Sequence, residues 1–97
     1  MTLLSFLQFY YKFIKGDKTM DKFKTKDIFE ASFIYSQDVD LANLELDSNY
    51  YWFVFMQKEN AEKLSSLYWS GKAEGNIKKF VDSLKTLKDL VFSRKRD

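Results

Sequence analysis

The apolar positions of this chain change their period several times, and each change predicts a new element. Leu3 to Ile14 (LLSFLQFYYKFI) is the most apolar run, interrupted by Gln8 and Lys12. Its broad aromatic face and thin polar face predict an amphipathic helix that packs on the domain or on a second copy. Gly16-Asp17-Lys18-Thr19 reads as a linker. Residues 1–19 are therefore expected to form an N-terminal amphipathic arm, with a compact domain over 20–93 and a basic tail over 94–97. Thr25 is the expected N-cap of the next helix, with Asp27 in its first turn, where a carboxylate favours the helix dipole. From Asp27 to about Gln37 the apolar residues Ile28, Ala31 and Tyr35 share one face, as do Phe29 and Phe33. A strand over Ile28 to Tyr35 competes, because aromatics and Ile also favour sheets; the helix is preferred.

Asp38-Val39-Asp40 breaks the helical period. Leu41 to Asp47 alternates as a half-buried strand, and Ser48-Asn49 supplies a two-residue turn. Tyr50 to Met56 (YYWFVFM) is the strongest strand signal, apolar on both faces, so it should be covered twice or lie against a partner. Lys58 to about Ser70 reads as a helix with Ala61, Leu64, Leu67 and Tyr68 inward, stopped by Gly71. Asn76 is placed to cap the last helix. That helix sets Ile77, Phe80, Val81, Leu84, Leu87 and Val91 on one face. Lys78, Asp82, Lys85 and Asp89 lie on the other, three or four apart and opposite in sign. The expected fold class is α+β: a helix, a two-stranded β-hairpin, two further helices and the N-terminal helical arm. Two strands do not stand alone, so a homodimer, larger assembly or protein partner is expected at the open face or edge.

Composition narrows the chemistry. The 97 residues include ten Phe, six Tyr and two Trp, but no Pro and only three Gly, which suits a packed core rather than a disordered linker. The chain has no Cys and no His. That removes disulfides, thiolate nucleophiles, Cys- or His-ligated zinc, and the Ser-His-Asp and Cys-His hydrolases. Sixteen basic against 14 acidic side chains leave a net charge of +2, a near-balance that lacks the basic excess of a strong nucleic-acid binder. A cysteine-free chain fits a reducing compartment, so a cytoplasmic location is expected. The Leu3–Ile14 run is shorter than the roughly 20 apolar residues a bilayer demands. It also lacks the basic start and small-residue cleavage site of a signal peptide. An interfacial membrane helix, edged by Lys12 and Lys15, is the lesser alternative.

The order and spacing of several short motifs carry a resemblance. They are Phe23-Lys24-Thr25-Lys26-Asp27-Ile28, Ala31-Ser32-Phe33-Ile34, Trp52-Phe53-Val54-Phe55, Tyr68-Trp69-Ser70-Gly71 and Ser83-Leu84-Lys85-Thr86-Leu87-Lys88. Over about Phe23 to Ser93 the chain resembles an uncharacterised family of small bacterial, archaeal and phage proteins, a domain of unknown function. It departs from that pattern in carrying Gln37-Asp38 where a glycine is expected after the first helix. The resemblance implies a shape and a phage or mobile-element setting, and no activity.

No residue set assembles a nucleophile, base and stabiliser, so no enzyme is expected, and no catalytic residue, metal site, cofactor or small-molecule substrate is assigned. Asp38 with Asp40, and Glu45 with Asp47, lack the convergence that acid–base or metal chemistry requires and read as solvated faces. The loop Ser70 to Asn76 resembles a phosphate loop only superficially: Lys72 follows the wrong glycine, and a helix precedes it. The residues singled out for binding are the aromatics Tyr50, Tyr51, Trp52 and Trp69. Lys22, Lys24, Lys26, Lys72, Arg94, Lys95 and Arg96 supply charge. Stacking on exposed rings contributes roughly 1–3 kcal/mol per base in single-strand binders. The competing reading makes these rings core and the lysines its solvated face. Two functions follow: a small DNA-binding or other nucleic-acid-binding accessory protein, or a protein-interaction and self-assembly module without nucleic acid.

Overall fold

The computed structural model describes residues 21–96, and the expected arm over 1–19 lies outside them. Six elements run in the order β1 (Phe23–Thr25), α1 (Ile28–Ser36), β2 (Leu41–Asp47), β3 (Tyr50–Phe55), α2 (Lys58–Trp69) and α3 (Ile77–Arg96). The fold is α+β as expected, but the sheet has three antiparallel strands in the order β1-β3-β2, not two. The extra strand is Phe23–Thr25, which pairs with Phe55 to Phe53. Three residues are too few to show an alternating pattern, so this strand left no periodic signature.

β1 also explains why Thr25 is not the cap of α1. Thr25 belongs to the sheet and is buried, and the N-cap is Asp27, whose carboxylate accepts from the backbone N–H groups of Phe29 and Glu30. The capping chemistry is as expected, two residues later. At the other end the chain leaves α1 through Asp38, whose φ of 68° lies in the left-handed region. A Cβ is strained in that region, which glycine enters freely. Asp is among the residues that tolerate it, and its carboxylate receives the Lys79 ammonium at 3.0 Å, tying the end of α1 to α3.

Register divides the sheet into two faces. Phe23, Thr25, Leu44, Phe53 and Phe55 share the inner face, and Lys24, Glu45, Trp52 and Val54 the outer one. A bulge between Leu41 and Asn43 adjusts the start of β2. The core joins Phe53, Phe55 and Leu44 of the inner face to Ala31 and Ile34 of α1, Ala61 of α2 and Leu87 of α3. α1 lies at the centre, with Glu30, Ala31, Ser32, Phe33, Ile34 and Ser36 all buried. This is why its apolar residues form no single clean stripe.

The hairpin turn falls at Ser48-Asn49 as expected, with Ser48 rather than Asn49 at positive φ. α2 ends in a Schellman motif: Lys72 N–H donates to Leu67 O, and Gly71 N–H to Tyr68 O. Gly71 takes the left-handed conformation at φ 78° that this motif requires. Asn76 caps α3 by accepting from Lys79 N–H at 2.9 Å, and Lys78 pairs with Asp82 at 2.9 Å. One expectation fails on the helices: Leu67, Ile77 and Val81 are exposed instead of turned to the core. The basic residues Arg94 to Arg96 fall in the last turn of α3, which continues through Arg96.

Candidate interaction surfaces

The predicted binding residues do not form one site. The structure places them at opposite ends of α3, whose 20 residues span about 30 Å at 1.5 Å per residue. Tyr50, Trp52, Arg94 and Lys95 lie toward its C-terminus, and Trp69 and Lys72 toward its N-terminus.

The first surface is the outer face of the sheet. Tyr50 and Trp52 are two apart on β3, so strand geometry stacks them side by side. Lys26 Nζ lies 4.5 Å from the Tyr50 ring centroid and 5.0 Å from that of Trp52. Lys24 crosses β3 to reach Glu45 at 2.8 Å, passing 6.0 Å from the Trp52 centroid. Trp52 Nε1 donates to Asp47 at 3.1 Å. This face thus carries two ammonium groups and two carboxylates around two rings, with one ion pair between Lys24 and Glu45. Cation–π contact and hydrogen bonding fix the rings, but the local charge is balanced. Tyr50 is exposed and Trp52 half-buried, so neither ring belongs to the interior.

The second surface is the corner where α2 hands over to α3. Trp69 is 63% exposed and meets Tyr68 edge-on at 5.1 Å between centroids; Tyr68 in turn lies 6.2 Å from Phe33. Beside them a hollow of about 220 Å³ is lined by Phe33, Tyr68, Ile77 and Phe80, with Glu74 to Asn76 as its rim. Ile77, at 81%, is the most exposed large apolar side chain of the described residues. Partial burial is the main cause that raises the Tyr68 pKa, and the nearby carboxylates of Asp27 and Glu30 add to it. Lys72 is exposed in the adjoining loop, where no residue of the described fold pairs with it.

Nothing in the sequence pattern pointed to Ile77 as surface, because its spacing from Phe80, Leu84 and Leu87 matches the core face. Its exposure follows from lengths. α1 has nine residues and α3 has 20. A support of about 14 Å cannot cover a helix of about 30 Å. Ile77 stands exposed at the start of α3, while near its end Val91 still packs against the core and Phe92, one residue on, turns to solvent.

A further hollow, about 490 Å³, lies between the residues leading into β1 and the start of α2. Its lining mixes Asp21 and Glu59 with Lys22 and Lys58, so it shows no preference for one charge. No helix of the described residues is long and apolar enough to cross a membrane. Comparison with protein-family models, curated proteins and solved structures gave no match.

Proposed function

We propose that this chain is a non-enzymatic protein-interaction module, working in a reducing, cytoplasmic setting, whose apolar α2–α3 corner seats a partner or a second copy. The observation that carries this reading is the corner itself: Ile77 stands in solvent at a hollow lined by Phe33, Tyr68 and Phe80, and Trp69 stands in solvent against Tyr68. Exposed aromatic anchors around an apolar pocket are the usual centre of a protein interface. Such a contact is held by burial rather than charge, in keeping with the near-neutral chain.

A second reading, a nucleic-acid-binding accessory protein of a phage or mobile element, is favoured by one observation. Lys26 lies over both Tyr50 and Trp52, and Lys95 lines the same end of the molecule. Glu45 and Asp47 on the same face weaken it, since a phosphate chain approaching the rings meets both carboxylates.

Salt separates the two. The test is anisotropy of labelled 20-nucleotide single-stranded DNA and RNA in low and high salt, with light scattering on the same protein. The module reading expects no micromolar nucleic-acid binding and a molar mass above that of one chain, insensitive to salt. Micromolar binding that weakens steeply with salt and quenches Trp52 would overturn it, because counterion release produces that slope.

A further inference from the structure

Among the described residues, the hairpin register leaves one backbone position of β3 without a strand partner. In a two-residue hairpin the flanking pair, here Asp47 and Tyr50, is hydrogen-bonded. Alternation then turns the N–H and C=O of Tyr50 and Trp52 toward β2, and those of Tyr51, Phe53 and Phe55 toward the other side. β1 meets Phe53 and Phe55 through Thr25 and Phe23, and then stops. The bend at Lys26 carries the chain away into α1. Among the described residues no strand reaches Tyr51 from that side, and no backbone hydrogen bond outside the ladders ends on it.

A cavity of about 210 Å³ opens at this edge, lined by Lys26, Ile28, Asn49, Tyr50, Tyr51, Phe53, Val91 and Lys95. Ile28, Phe53 and Val91 make it apolar. Among the described residues that line it, Lys26 and Lys95 are the charged groups and none is a carboxylate.

We propose that this slot takes an extended acidic peptide segment of a protein partner, which adds to β3 beside Tyr51 and sets a carboxylate between Lys26 and Lys95. The inference rests on the protein-interaction reading and gives it a second contact of stated chemistry. Main-chain pairing provides the grip, the apolar lining takes one side chain, and the ammonium groups select the charge. A second copy of this chain fits poorly, because edge-to-edge pairing about a two-fold axis brings Lys26 and Lys95 of both copies together. A nucleic acid has no peptide-like row of donors and acceptors to pair with Tyr51.

The test is a titration of the isotope-labelled full chain with the pentapeptide acetyl-Thr-Val-Asp-Val-Glu, followed by NMR. Two control peptides carry lysines for the acids, or N-methyl groups on alternate residues. The acidic peptide is expected to shift the Tyr51 amide most and to slow its hydrogen exchange. N-methylation should weaken binding about ten-fold, the loss of roughly one charge-neutral backbone hydrogen bond. Lys26→Gln and Lys95→Gln should each weaken it about three-fold, with unchanged urea midpoints as the folding control. Equal binding of the acidic and lysine peptides, no binding at millimolar peptide, or shifts confined to Tyr50 and Trp52 would each overturn the proposal. Failure here leaves a salt-insensitive assembly at the Trp69–Ile77 corner standing, whereas micromolar oligonucleotide binding would remove the module reading itself.

Discussion

Glu30 is 4% exposed, and its two carboxylate oxygens accept from the hydroxyls of Thr25 and Ser65. One side chain of α1 thereby holds β1 and α2 together, and no buried side-chain polar atom of the described residues lacks a partner. Removing it should leave both hydroxyl protons without their acceptor. Glu30→Ala is expected to cost about 3 kcal/mol, from lost packing and unsatisfied groups, read as a lower urea midpoint with an unchanged slope. Tyr68 carries a pH dependence. Its pKa is raised above the usual tyrosine value, chiefly by burial. The folded state therefore holds the phenolic proton at a pH where the unfolded chain releases it. This contribution is complete below about pH 10 and is lost as pH rises through the raised folded value. Chemical unfolding across that window should show stability falling with pH, and Tyr68→Phe should flatten the fall.

At the scale of elements, local signals were legible and long-range ones were not. The hairpin, the stop at Gly71 and the cap at Asn76 each rest on a few adjacent residues with specific backbone demands, and each appears where the pattern put it. Gly71 permits a clean measurement: a Cβ there meets nothing within 4 Å, yet its φ is +78°. Gly71→Ala should therefore cost about 1 kcal/mol through the backbone alone, seen as a lower thermal midpoint with no change in the amide shifts of the core. β1 was illegible because a three-residue strand is defined by its partner, Phe53 to Phe55, which lies far along the chain. The candidate site was half legible. Tyr50 and Trp52 do share a surface, by simple alternation, but their separation from Trp69 and Lys72 depends on how far α3 runs past α1, and no residue spacing records that.

For the whole molecule, stability and association should come apart. Ile77 contributes little to the fold, being mostly in solvent. Ile77→Lys is expected to change stability by less than about 0.5 kcal/mol. If the α2–α3 corner is the interface, the same substitution reduces the mass in light scattering to that of a single chain; an unchanged assembly would count against the corner. The overhang of α3 has a further consequence. The helix packs against the core as far as Val91 and opens from its ends, so its amides should exchange with deuterium in a gradient, slowest around Leu87, which is fully buried, and fastest beyond Phe92. The final turn, which carries Lys95, would then fray when the slot beside β3 is empty and tighten when a carboxylate is seated there.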